Sequence, residues 1–491
     1  MGAILITLRS TTLERLEAFK AAGGKLVFMG NAPTLCDALP SQRGKELFDA
    51  SEKVFFGKTD ILSALSELRD ISIIRNDGAT PNNFIYQMRK EKNGTKWLFI
   101  VNGKDYTNVD IPTCQDITLT IKGKFTPTLY DTLTGEISPI AFRIVDGNTL
   151  IDRRMYNYDS LLLKLEKYEK GSEQIKIKKA AEHVCNVNFP SLVEYSLSED
   201  NVCVLDMAQY KLNDGALLDE EEILRIDAAC RNALGWPKMG GRMVQPWLTP
   251  EPEISNFVTL RYLINSEIDV KSPVLAVEKA ENVKIRLNGK EVKNDIIGYY
   301  VDRYIKKVQL PDLKKGENVL ELVCPIGQRT AVEYAYLLGN FGVKVIGRSK
   351  TITALPEKLW FDDIRNQGLA FYSANITYKC KVETEKDGLL CVHAPVWRGA
   401  LVSMKVDGKE CGNIAFSPYE AQAKTKAGEH TVELTIYGTR FNTFGQIHCH
   451  HNEAFKWYNS DSWRTSGDMW SYEYETKPAG ILRTPVCDLK K

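Results

Sequence analysis

A chain of 491 residues is too long for one hydrophobic core and predicts three or four domains of about 100–200 residues each. Its formal net charge of +1 gives no global electrostatic case for nucleic acid or an anionic membrane, and no apolar run approaches the roughly 18–20 residues that span a bilayer. The N-terminus lacks the basic start of a signal peptide, and the 11 scattered cysteines contain no CxxC pair, so buried thiols in a reducing, cytoplasmic compartment are expected.

Residues 1–80 read as α/β. "AILITL" is a short apolar strand, and Ser10, Thr11 or Thr12 can cap the helix that follows. Leu13, Leu16 and Phe19 keep helical spacing, Gly23-Gly24 supplies a stop, and "KLVFMG" is a second strand of the buried, unalternating kind found in parallel sheets. The unit has no Gly-rich phosphate loop. Such a sheet is incomplete as it stands, and further sequence upstream is expected. Residues 81–165 change to short strands such as "KWLFIVNG", "ITLTIKG" and "LYDTLTGEI", a pattern that predicts a small β-sandwich. The Lys- and Glu-rich stretch within 166–189 reads as a linker.

Residues 190–350 and 351–491 contain the same phrases twice. "KIRLNGKEV" begins at Lys284 and "SMKVDGKEC" at Ser403; each alternates apolar and polar residues up to an Asn-Gly or Asp-Gly hairpin signal. "LKKGENVLELVC" from Leu313 and "TKAGEHTVELTI" from Thr425 follow, each with a turn glycine and a strand. The separation Asn288–Gly316 exceeds Asp407–Gly428 by seven residues, which predicts a loop insertion in the first copy. The expectation is two β-sandwiches of one type, in tandem. A helix interrupts the first, with Asp219 as cap and Ile223, Ile226, Cys230 and Leu234 along one face.

These repeated phrases resemble the galactose-binding-like jelly roll, the sugar-binding module of glycoside hydrolase family two and its relatives. "LRSTTLERLEAFKAAGGKLVFMG" resembles the glutaminase-like domain that follows the catalytic barrel in several large bacterial glycoside hydrolases. "LYDTLTGEI", "YLLGNFGVKV" and "GTRFNTFGQIH" are similar to the C-terminal region of rhamnosidase-like members. The resemblance implies a multidomain, mainly β chain: an incomplete α/β glutaminase-like domain, a small β-sandwich and two jelly rolls. It also implies an accessory, sugar-binding region with no catalytic residues of its own. The catalytic (β/α)₈ barrel, which needs about 200 residues or more, is expected upstream or on a separate subunit. Carbohydrate is the expected ligand, without cofactor or metal; the alternative is a structural or oligomerisation module that binds no sugar.

Sugar recognition draws on aromatic rings, which stack on pyranose faces, and on guanidinium or amide donors. Trp397, Arg398, Arg440, Asn442, Trp463 and Trp470 are the candidates, all in the last domain. Tryptophans in sandwiches usually pack the core or a domain joint, which is the plainer reading of each. "HCHH" at His448–His451 places two imidazoles on one strand face, yet no second ligand group has suitable spacing, and a polar loop explains it as well. Asp362, Asp363 and the acids at Asp219–Glu222 read as solvated faces or helix N-termini. "GWPKMGGRMVQPW" from Gly235 reads either as a loop reaching toward the barrel or as an inter-domain plug.

Overall fold

The computed structural model describes residues 5–81, 83–103, 108, 110–172, 181–237, 254–450 and 463–491. The chain is mainly β and forms two compact units, one of Met1–Lys104 with Cys114–Lys178 and one of Asp105–Thr113 with Lys179–Lys491.

In the smaller unit, the helix Ser10–Ala21 ends as expected. Gly23 takes φ +84°, and the N–H groups of Gly23 and Gly24 bond the carbonyls of Lys20 and Phe19 at 2.9 Å, a Schellman closure. Its start differs from expectation: no hydroxyl caps it, and the Ser10 N–H instead donates to Asp37 Oδ1 at 3.1 Å. Leu13 is fully buried with Phe28 and Leu47, whereas Phe19 is exposed, its ring lying beside Gly24 where a Cβ would overlap it. The two expected strands do not pair. Thr7–Leu8 runs parallel to Leu35–Cys36, and Val27–Met29 parallel to Glu52–Val54, in separate short sheets.

The small sandwich packs a five-stranded sheet against a four-stranded one around Leu98, Ile100, Leu119, Ile151 and Leu163. Its first strand is Ile71–Arg75, which pairs with Cys114–Ile121. The boundary expected at 80/81 therefore falls inside this sandwich's neighbourhood, ten residues late, because a five-residue strand carries too little local pattern to declare its partner.

In the larger unit, two sandwiches share one strand order. In the first, Met207–Leu212, Asn256–Ser266, Gly316–Ile326, Lys284–Leu287 and Lys290–Val292 lie side by side; in the second, Leu192–Leu197, Ile376–Thr384, Gly428–Tyr437, Leu401–Val406 and Lys409–Ile414 do so. Alternate residues of Ile376–Thr384 are buried, as expected for strands with one face on a core. The arrangement is nested, not tandem. His183–Val187 pairs with Val486–Lys490, and Leu192–Leu197 with Ile376–Thr384, so the outer roll begins before the inner one and resumes near Leu359. Two boundaries move accordingly: the expected linker 166–189 ends in a strand of the outer roll, and residues 190–197 belong to that roll also. The helix Ile223–Ala233 buries Ile223, Ile226 and Cys230, but its cap is Glu222, whose carboxylate accepts the Arg225 N–H at 3.1 Å; Asp219 lies in the preceding strand.

The repeated phrases occupy equivalent places. Asn288 and Gly289 (φ +51° and +74°) and Asp407 and Gly408 (φ +50° and +76°) make the same left-handed hairpin turn. Asn288 Oδ1 accepts the Val319 N–H at 2.8 Å, and Asp407 Oδ1 accepts the Thr431 N–H at 2.9 Å. Asn288 then donates to Asn318 Oδ1 at 3.0 Å, where the second copy sets Asp407 against His430 Nδ1 at 2.7 Å. Both Asn318 and His430 bond back to the backbone four residues earlier, at Lys314 and Lys426. A neutral amide pair has become a titrating pair. His430 faces two acceptors, the Asp407 carboxylate and the Lys426 carbonyl, so the ring is best satisfied when both nitrogens are protonated. The hydrogen bond to Asp407 raises its pKa above the ordinary imidazole value. Its stabilisation is therefore complete below about pH 6.5 and fades as pH rises through the folded value. His430→Asn should flatten the difference in urea midpoint between pH 6 and pH 9.5, a change of about 0.5–1 kcal/mol.

The insertion is a strand, not a loop. Ile296–Tyr300 forms a fifth edge strand, giving the inner roll the order Asn201–Leu205, Ala335–Gly339, Val274–Glu278, Asp302–Gln309, Ile296–Tyr300, where the outer roll has four strands.

Candidate functional site, a cleft at the inserted strand

The inserted strand lines a cleft of about 780 Å³, a size suited to a small organic ligand. Its other walls come from the two crossings between rolls, Glu199, Asp200 and Asn201 where the chain enters the inner roll and Glu357 where it leaves. Tyr299 is 56% exposed and Lys307 lies on the adjoining strand. At the hairpin tip, Val301 takes φ +61°, a conformation a β-branched residue rarely adopts. Tyr195 donates to the Pro356 carbonyl at 2.7 Å, and the Ser198 N–H donates to the Tyr372 hydroxyl at 3.1 Å, which ties the entry and exit segments to the outer roll.

Arg440 holds one lining residue of this cleft, Glu199. Its guanidinium makes a fork with the Glu199 carboxylate, one arm measuring 2.7 Å, and that bond raises its pKa. Arg398 and Asn442 come together elsewhere, lining a smaller pocket of about 300 Å³ in the outer roll. Arg398 forks onto Asp110 at 2.6 and 2.9 Å. Asn442 is buried and exchanges two 2.8 Å bonds with the Lys477 backbone. Trp397 is half-buried against the outer core and pairs with Ile481. Trp470 lies under the Arg225 guanidinium, 4.4 Å from ring centre to carbon, with Tyr472 edge-on at 4.3 Å. Trp463 neighbours neither cavity. The six candidates are thus dispersed. The cleft residues Tyr299, Glu199, Asp200, Asn201 and Glu357 escaped sequence reasoning; the signal that could have found the tyrosine is the mismatch between copies, which isolates "DIIGYYVDRY".

A second concentration of charge holds the rolls together. The fully buried Asp206 accepts from Lys350 and, at 2.8 Å, from Tyr474 on one oxygen, and from His448 Nε2 at 2.7 Å on the other. His448 Nδ1 lies 2.9 Å from the Ser471 carbonyl, so the ring, when protonated, finds an acceptor on each side. Burial pushes the Asp206 carboxyl up, and the Lys350 and His448 charges outweigh it, leaving the pKa well below the carboxylate range. Burial pulls His448 down, and its bond to Asp206 reverses this, leaving its pKa raised. His448 is therefore engaged by protein, His450 meets Glu475 at 2.7 Å, and among the described residues no three His, Cys, Asp or Glu side chains converge as metal ligands. Asp363 caps the turn Ile364–Gln367 and holds Arg365. His451 and residues 238–247 of the Gly/Pro-rich stretch lie outside the described residues. Among the described residues no helix is long and apolar enough to cross a membrane.

Among solved structures, the chain is similar to a rhamnosidase from Novosphingobium sp. PP1Y, with 11% identity, 98% of this chain and 33% of that one covered, and a TM-score of 0.43. A β-D-mannosidase from Dictyoglomus thermophilum shows 14% identity, coverage of 48% and 31%, and a TM-score of 0.19. An anti-sigma factor domain-containing protein from Clostridium clariflavum shows 10%, coverage of 48% and 90%, and 0.16. The chain spans about a third of the length of the rhamnosidase. No protein-family model matches it, and no curated protein does.

Proposed function

We propose that the larger unit binds carbohydrate in the cleft at the inserted strand. In this reading the chain is an accessory region of a glycoside hydrolase whose catalytic barrel lies outside these residues. The observation that carries the proposal is Tyr299, an exposed ring on a copy-specific strand, lining a cavity whose walls also include three carboxylates and two amides, Asn201 and Asn340. Rings bind the apolar faces of pyranoses and carboxylates accept from their hydroxyls. Arg440 acts by positioning Glu199, while Arg398 and Asn442 belong to the smaller pocket, a secondary place for a sugar ring. Trp397, Trp463 and Trp470 serve packing in this reading. Tyr299→Ala should weaken glycan binding at least tenfold, equivalent to about 1.4 kcal/mol, in calorimetry with ligands chosen from a glycan array. Unchanged affinity, or no glycan bound by the parent chain, sinks the reading.

The hairpin also supports assembly as the alternative, since Ile296, Ile297, Tyr299, Val301 and Tyr304 are all exposed on it. Sedimentation separates the two: a concentration-dependent oligomer that Ile297→Asp dissolves, with no glycan bound, favours assembly.

A further inference from the structure

The inserted strand Ile296–Tyr300 is weakly held by its own sheet. It lies at the edge, and its pairing with Asp302–Gln309 breaks register twice, between Ile296 and Gly298 and between Tyr299 and Tyr300. The other edge of that partner strand pairs with Val274–Glu278 only from Ile305 onward. The outer roll builds the equivalent sheet without such a strand, so this type of sandwich closes without it. Fixed points flank the segment. Asn294 Nδ2 donates to the carbonyls of Ala280 and Glu281 at 3.1 and 3.0 Å, and the Tyr304 carbonyl accepts the Lys279 N–H at 3.1 Å. Between them Asp295, Ile296, Ile297, Tyr299 and Val301 are exposed, and Tyr300 alone is buried, at 6%.

That one buried ring is seated partly on the outer roll. Tyr300 stacks on Phe444 at 5.7 Å between ring centres and lies 5.6 Å from Tyr336, and Tyr336 and Phe444 are 5.0 Å apart. Both seats are themselves fixed. Tyr336 belongs to Ala335–Gly339, which has a paired strand on each side. Phe444 ends the turn Phe441–Phe444, where the buried Thr443 donates to the Phe371 carbonyl at 2.7 Å. At the tip, the φ of +61° at Val301 is a strain that release of the hairpin relieves. We propose that Asp295–Asp302 is a flap on the cleft, peeling from its one neighbour as a unit and latched by Tyr300 between Tyr336 and Phe444. Tyr299, Tyr300 and Val301 all line the cleft, so movement of the flap reshapes its wall. The latch stands on packing alone; its part in admitting a sugar rests on the carbohydrate reading above.

Hydrogen exchange on the full chain without ligand, read by mass spectrometry, tests the flap. A peptide spanning residues 295–301 should exchange about a hundredfold faster than the central strand Asn256–Ser266, at a rate that low concentrations of urea barely change, because a local opening exposes little surface. Phe444→Leu, which removes a stacking ring on the other roll, should speed exchange of 295–301 about tenfold and leave Asn256–Ser266 unchanged. Val301→Asn, which tolerates left-handed backbone, should slow it severalfold. Exchange of 295–301 that ignores Phe444→Leu, or that rises only together with Asn256–Ser266, overturns the latch, and so does acceleration by Val301→Asn. Each of these leaves the carbohydrate reading standing, since no glycan enters the measurement. A chain that binds no glycan sinks that reading, while the predicted exchange pattern still supports the flap.

Discussion

Asp206→Ala is expected to loosen the joint between the two rolls by about 3–5 kcal/mol, the usual cost of deleting one member of a buried ion pair. The substitution strands Lys350 and His448, two cations whose shared counter-ion sits at zero exposure. Amide exchange at Ile447 and Tyr474 should accelerate about a hundredfold or more, with a matching drop in the urea midpoint. Asp206→Asn, which preserves shape, should recover only part of the loss. The acidity of the pair gives a second readout. His448 has a raised pKa, so its share is complete below about pH 6.5 and is lost as pH climbs through the folded value. Asp206 is the mirror case, complete above about pH 3.9 and lost as pH falls through its depressed value. His448→Gln should therefore abolish the loosening that the parent shows above neutral pH. Exchange in Asp206→Ala that matches the parent would refute the clamp.

Gly438→Ala should be as damaging or more so. A Cβ at Gly438 would stand 1.9 Å from the Ser373 carbonyl oxygen and 2.5 Å from that of Ala374. Those atoms are backbone, so no rotamer change relieves the overlap, and the surroundings are held: the Gly438 N–H donates to Asn375 Oδ1 at 3.2 Å, and the Arg440 N–H to the same Ser373 carbonyl at 3.2 Å. Overpacking ordinarily costs about 1–3 kcal/mol, and a clash with fixed backbone exceeds that range. We expect loss of soluble protein, or a fall above about 3 kcal/mol in denaturant. Gly327→Ala is the control, because its nearest neighbours would lie 3.8 and 3.9 Å away, and it should stay within about 1 kcal/mol of the parent. Parity between the two variants would show that the chain does not approach itself so closely at Gly438.

The hairpins were legible because their signals are local. Asn288-Gly289 and Asp407-Gly408 demand left-handed backbone, and the strands beside them alternate residue by residue. The nesting was not legible, since His183–Val187 finds its partner at Val486–Lys490 across almost the whole unit, and long-range pairing leaves no local mark. The cleft left no mark in the sequence for a related reason. Glu199 and Glu357 face one cavity only because the inner roll brings its two ends together. A tryptophan is visible in the sequence, but whether its ring meets solvent depends on register and neighbours: Trp397 packs against the outer core, and Trp470 lies beneath Arg225.

The nested connection has a further effect on how the larger unit behaves as a material. Because the inner roll hangs from the outer one by two strands of chain rather than one, cutting either crossing leaves the pieces tethered through the other. The outer roll, in turn, cannot close its sheets until Leu192–Leu197 and Ile376–Thr384, on opposite sides of the inner roll in sequence, have met. A ligand seated between the crossings thus bears on the closure of both sandwiches at once.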